Sequence, residues 1–199
     1  MPVIFEKQID SAKKLAVWQI TESQAELFDA ADYTAHHQFN EKRNTEKAVS
    51  RLILNYLAGS NAHKNLENDN FGKPYMKGSG LSLSFSHSRD MVACMVDLSG
   101  QPIGIDIEII RERIQLMASK FCTETDVSEL NGHMHHHLVW GGKEVLYKIY
   151  AKKELDFKAH LSVSFVKGYG KGNIHTPAHQ SSHSLFYEKI DEYMLVWGY

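Results

Sequence analysis

The chain has 199 residues, with 22 Lys plus Arg against 24 Asp plus Glu and a formal net charge of −2. That balance excludes a global positive field of the kind that draws in nucleic acid or an anionic membrane surface, so any anion site has to be local. No uncharged apolar run approaches the ~18 residues of a membrane span, and ordinary apolar content predicts a globular chain of one domain or two small packed ones. The start, Met1-Pro2-Val3-Ile4-Phe5-Glu6, lacks the basic residues and apolar stretch of a signal peptide, which predicts a cytoplasmic protein. The two cysteines agree: Cys94 sits in an apolar strand-like run, Cys122 in another segment, and nothing has disulfide or zinc-framework spacing.

In chain order, Val17-Trp18-Gln19-Ile20 predicts a short strand. Thr21 with Gln24 three residues on is a capping-box signature for a helix that buries Leu27 and Phe28. From Thr45 the apolar positions Ala48/Val49, Leu52/Ile53 and Tyr56/Leu57 recur at helical spacing, and Gly59 is placed to end the helix. Its other face carries Lys47, Arg51 and Asn55, with Lys42 and Arg43 just upstream, a basic cluster that is either an anion site or a solvated face. Residues 59–80 predict a loop with a turn at Phe71-Gly72-Lys73-Pro74-Tyr75. Three strands follow over 81–87, 91–98 and 103–109, predicting an antiparallel meander. Ser86-His87-Ser88 falls at the end of the first, where function often sits, although a histidine continuing an apolar face is also an ordinary core residue.

The third of these strands is the most informative. Isoleucines at 103, 105, 107 and 109 alternate with Gly104, Asp106 and Glu108, so two carboxylates share a face, roughly 6.5–7 Å apart. They can converge on one hard divalent cation, or simply face water. Gly104 would clear room on that face for something bulky to approach. Residues 111–121 look helical, and 123–130 start another short helix broken by Asn131-Gly132. The run His133-Met134-His135-His136-His137 invites a metal reading. Neighbouring histidines point in different directions and no Cys or acid is spaced to complete a shell, so the expectation is a solvated loop. A helical stripe of Leu138/Val139, Gly142, Val145/Leu146 and Ile149 comes next, with Glu144 and Lys148 one turn apart on its polar side and Trp140 in core packing. Beyond it the sequence predicts a strand over 161–166, a polar loop over 167–183, and a hairpin of 184–190 with 193–197 turned at Asp191-Glu192.

Taken in order, Phe71-Gly72-Lys73-Pro74-Tyr75, Phe85-Ser86-His87-Ser88, Ile103-Gly104-Ile105-Asp106-Ile107-Glu108 and Trp140-Gly141-Gly142-Lys143-Glu144-Val145-Leu146-Tyr147-Lys148 resemble the motif series of the 4'-phosphopantetheinyl transferase superfamily. The most specific parts are the Gly-x-Asp-x-Glu strand and the Trp-x-x-Lys-Glu-x-x-x-Lys helix. Length matches the larger, surfactin synthetase activator-like type. The resemblance implies an α/β pseudo-dimer of two similar α+β halves with antiparallel sheets, 1–100 and 101–199, with the active site in the cleft between them. It implies a cytoplasmic monomer that, with Mg2+, transfers the phosphopantetheine arm of coenzyme A to a serine hydroxyl of an apo carrier protein, releasing adenosine 3',5'-bisphosphate. No nucleic-acid or membrane partner is expected. By position, Asp106 and Glu108 are the implied Mg2+ ligands, Glu144 the third ligand, the general base or both, and Lys148 the pyrophosphate contact. Asp106, Glu144 and Lys148 form the implied catalytic set. Ser86 and His87 match the phosphate-binding strand end, Lys73 the nucleotide loop, and Arg43 and Arg51 the 3'-phosphate. Two features depart from the pattern: the acid after Phe121 is best matched by Asp126, and the histidine run has no family counterpart. The competing classes are a coenzyme A or carrier-protein binding module without transfer activity and a histidine-rich metal-binding protein.

Overall fold

The structure, a computed structural model, describes residues 2–70, 72–152 and 155–199, so Phe71 of the first motif lies outside the described residues. The chain divides into two compact units, Met1–Gln101 and Pro102–Tyr199. Both are mixed α/β with largely antiparallel sheets. No described helix is long and apolar enough to cross a membrane.

The first unit runs β1 (Val3–Gln8), β2 (Lys13–Gln19), α1 (Gln24–Ala30), α2 (Glu41–Ala58), β3 (Leu66–Asn68), β4 (Pro74–Met76), β5 (Ser82–Ser88) and β6 (Met91–Asp97). Its main sheet has the order β1-β2-β6-β5, with every pair antiparallel. Helix α2 lies across β2 and β6. It buries Ala48, Val49, Ile53, Leu54 and Leu57 in one core with Trp18, Val92, Cys94 and Val96; of the expected stripe, Leu52 is only partly buried and Tyr56 is exposed, while Leu54, outside it, is buried. The helix begins earlier than Thr45, because Asn40 caps it by accepting the Arg43 N–H at 2.8 Å. Gly59 stops it at φ 102°, a left-handed geometry that favours glycine. The capping box of α1 is Ser23 with Glu26, not Thr21 with Gln24, and of the two expected core residues only Leu27 is fully buried. Residues 59–80, expected as plain loop, contain a 3-10 turn (Ala62–Asn65) and the β3–β4 hairpin that carries Lys73 in its connection.

The second unit runs β7 (Gly104–Ile109), a 3-10 segment (Glu112–Lys120), β8 (Val127–Ser128), α3 (Gly132–Tyr150), β9 (Leu161–Val166), β10 (Tyr169–Thr176), β11 (His179–Ile190) and β12 (Tyr193–Gly198). Its sheet order is β7-β12-β11-β10-β9-β8, antiparallel except for β8 with β9. The expected meander is therefore wrong at its third strand. β5 and β6 do pair, but β7 belongs to the other sheet and pairs with β12 across the whole unit. Such a long-range pairing leaves no local sequence signal. The short helix expected over 123–130 is instead a turn leading into β8, and the histidine run is not a loop: it fills the opening turns of α3. The polar loop expected over 167–183 is the β10–β11 hairpin. Its inward positions include Gly170 and Gly172, where an added Cβ would fall 2.4 Å from Phe165 and 2.7 Å from Leu146. The pleat is regular, but glycine replaces the apolar residues that would have announced it.

Candidate functional site

Helix α3 packs against β7 and β12 of its own unit. Gly104 on β7 pairs with Gly198 on β12, and a Cβ built on Gly104 would lie 2.5 Å from the Val145 carbonyl oxygen. The expectation for Gly104 is thus corrected: the space it opens is taken by the backbone of α3, not by a ligand. That approach brings the helix's Glu144 and Lys148 over the carboxylate face of β7. Gly104→Ala should force the helix and strand apart and destabilise the fold by about 1–3 kcal/mol. Denaturant unfolding checks this, and an unchanged midpoint would show that the contact relaxes freely.

Asp106 is almost fully buried. The Lys148 ammonium donates to Asp106 Oδ1 at 2.8 Å and to the Ile105 carbonyl at 2.8 Å, tying the last turns of α3 to β7. Lys148 thus reaches across to the strand acid rather than only along its helix. Glu144 is partly buried, and its carboxyl is pushed up from 4.5 to about 7. Burial is the main cause; the nearby Asp106 and Glu108 charges add to it, and Lys148 works against it. Three carboxylates and one ammonium from two elements therefore act electrostatically as one group. The alternation put Asp106 and Glu108 on one face, and helical spacing put Glu144 and Lys148 on another; the structure brings the two faces together.

Lys143, adjacent to Glu144, points the opposite way. It is completely buried and donates to Phe121 O at 2.7 Å, Asp126 Oδ2 at 2.7 Å and Phe157 O at 2.8 Å. Asp126 also accepts from Thr123 N–H at 2.8 Å and Val163 N–H at 3.0 Å. The acid matched to the family position is thus the partner of a buried lysine and joins the 121–126 segment, α3 and β9. Trp140 is partly buried on this core and packs against Phe121 and Phe157, as expected.

The first unit holds the remaining candidates. His87 continues the Leu83 and Phe85 face of β5 and meets α2: its Nε2 is 2.6 Å from Arg43 Nη1, and its Nδ1 is 3.4 Å from Glu46 Oε1. Glu46 is buried and also takes Arg43 at 3.4 Å and Lys42 at 3.7 Å. Sequence reasoning missed Glu46, although its i,i+3 and i,i+4 spacing from the two cations was the available signal. An open cleft of about 330 Å³ lies beside it, lined in part by Lys42, Thr45, Glu46 and Arg89. Ser86 lies on the opposite face of the pleat from His87 and is buried, so the structure separates the two. Arg51 donates to the Asp32 carbonyl at 3.0 Å and stacks over the Tyr33 ring. Burial, then Arg43 and Arg51, hold the Lys47 ammonium below its ordinary range, which marks 43, 47 and 51 as one cationic face of α2. Lys73 is half-buried in the β3–β4 connection, and burial lowers its ammonium likewise.

No family model matches the chain, and no curated protein matches it either.

Proposed function

We propose that this chain is a Mg2+-dependent 4'-phosphopantetheinyl transferase of the larger type, moving the phosphopantetheine arm of coenzyme A to a carrier-protein serine. The observation that carries the reading is the Glu144 carboxyl, raised to about 7 by burial and by the acids of β7 beside it. That value belongs to the metal-free chain; proton removal from a serine hydroxyl needs a carboxylate held beside the ion's acids as Glu144 is. The motif resemblance supplies the substrate, and the two units, each with one long helix on a largely antiparallel sheet, agree with a pseudo-dimer of related halves.

The donor set fits Mg2+: Asp106, Glu108 and Glu144 are hard oxygen ligands, and their mutual repulsion is what a dication would relieve. When bound, the ion neutralises pyrophosphate oxygens. In the proposed reaction Glu144 takes the serine proton, the serine oxygen bonds to the β-phosphorus, and the phosphoanhydride bond to adenosine 3',5'-bisphosphate breaks. Lys148, with its ammonium 2.8 Å from Asp106 Oδ1, would supply the positive charge that the departing phosphate needs. The cationic residues Arg43, Arg51 and Lys73, with the imidazole of His87, serve the coenzyme's phosphates, while Ser86 lies on the other face of the β5 pleat.

The test is incubation with coenzyme A, Mg2+ and a panel of apo carriers from fatty-acid, polyketide and peptide synthesis, read by intact mass. At least one carrier should gain a phosphopantetheine mass, and chelating the Mg2+ should abolish the gain. Coenzyme A binding with no gain on any carrier would replace the transferase reading with that of a binding module.

A further inference from the structure

Local spacing in the sequence offers the histidine run no cysteine. Folding supplies one. Cys122 follows the 3-10 segment, and its Sγ lies within 4.8 Å of one ring nitrogen each from His135 and His136 in the opening turns of α3, with those two nitrogens also within 4.8 Å of each other. Cys122 Sγ lies 3.7 Å from His135 Nε2.

Two further observations point to a ligand. First, the far nitrogen of His135, Nδ1, is 2.8 Å from Ser128 Oγ. Ser128 Oγ also lies 3.2 Å from the Leu130 carbonyl, and with its proton on that carbonyl the oxygen would accept from Nδ1–H. This leaves Nε2, the nitrogen facing sulfur, with its lone pair available. An outer hydrogen bond of this kind is how metal-binding histidines are oriented. Second, His136 Nδ1 is buried and has no hydrogen-bond partner among the described residues. A buried imidazole nitrogen left unsatisfied is unfavourable unless something else takes it up.

We propose that Cys122, His135 and His136 form a site for Zn2+ or a similar transition-metal dication, separate from the carboxylate group on β7 and α3. One thiolate and two imidazoles are the soft and borderline donors that select such ions over Mg2+. Tetrahedral Zn2+ holds its ligand atoms about 3.5 Å apart, so small side-chain rotations close the present spread. Binding replaces the thiol proton, which leaves to solvent: Cys122–SH plus M2+ gives Cys122–S–M+ plus H+. All three side chains are partly exposed, so the ion can enter and keeps a fourth position for water. The metal would pin the 121–122 segment to the start of α3. The inference does not depend on the transferase reading.

Twelve histidines make loose surface binding of Zn2+ certain to complicate uptake alone, so the test reads the sulfur. Metal-free, reduced full-length protein is titrated with Co2+. One equivalent should produce a near-ultraviolet sulfur-to-cobalt charge-transfer band with visible bands of tetrahedral cobalt, and Zn2+ should discharge both. Cys122→Ser should lose the ultraviolet band; His136→Ala and Ser128→Ala should each weaken binding by about tenfold or more. Zn2+ should raise the melting temperature of the wild type and not of Cys122→Ser. Absence of the band in folded wild-type protein, or a band that survives Cys122→Ser, overturns the proposal.

Discussion

Glu144→Gln should stabilise the metal-free fold by about 3 kcal/mol near pH 8 while lowering carrier modification by about 10²–10⁴-fold. The sign follows from the raised carboxyl. Its folded value is about 7 against 4.5 for the ordinary group, so between those limits the unfolded chain ionises while the folded chain stays protonated. Stability therefore falls as pH rises through that window, by up to about 1.4 kcal/mol per pH unit, and the penalty is complete above it. A neutral amide removes the penalty, so the gain from Glu144→Gln should vanish toward pH 4.5, the ordinary value of the group. Unfolding measured in chelator across pH tests this; equal pH slopes in the two proteins would show that Glu144 is not held in the environment described. The rate side tests the role. If Glu144 acts chiefly as base, saturating Mg2+ does not rescue Glu144→Gln, whereas it restores part of the rate of Asp106→Asn, a change that on the proposed reading weakens the ion's shell and also removes the charge partner of Lys148. Equal rescue of both would reassign Glu144 as a third metal ligand. A steadier fold together with a lost rate in Glu144→Gln would identify a side chain held for chemistry at the expense of stability.

Most of this group was legible before folding, because each half of it is written in a local period. Alternation placed Asp106 and Glu108 together on β7, and a four-residue step placed Glu144 and Lys148 together on α3. What no local period contains is the face against which each lies. Gly104 announced a close approach, but only the fold shows that the visitor is the Val145 carbonyl. Likewise β7 was predicted as a strand and misassigned to β6, since its partner β12 is nearly the whole unit away in sequence. The histidines misled for a different reason. Asn131-Gly132 reads as a breaker, yet Asn131 stands at the N-terminal boundary of α3 and Gly132 opens it with a positive φ. Cys122 approaches them through chain folding, a contact that spacing cannot encode.

Lys143→Met should destabilise the second unit by about 3–5 kcal/mol, the loss expected when one member of a buried ion pair is removed. The lysine and Asp126 side chains are both wholly buried, 2.7 Å apart. All three ammonium hydrogens are used, two on the Phe121 and Phe157 carbonyls and one on the carboxylate. Methionine fills much of the same volume but takes the counter-charge from a buried carboxylate, which keeps its Thr123 and Val163 donors, and takes the ammonium donor from two carbonyls. Asp126→Asn should also be costly, because it strands the ammonium and weakens the acceptor of the Thr123 and Val163 amides. Removing both charges, as Lys143→Met with Asp126→Asn, should be less harmful than the sum of the single changes, a coupling that reports the pair itself. Denaturant unfolding followed by amide exchange in α3 and β9 provides the measurement. Glu144 and Lys143 are neighbours in sequence with opposite expected signs: the charge near β7 weakens the fold, and the charge buried beneath Phe121 holds it. A loss below about 1 kcal/mol for Lys143→Met would mean that the carboxylate finds water or another donor, and the 121–126 segment would then not depend on this lysine.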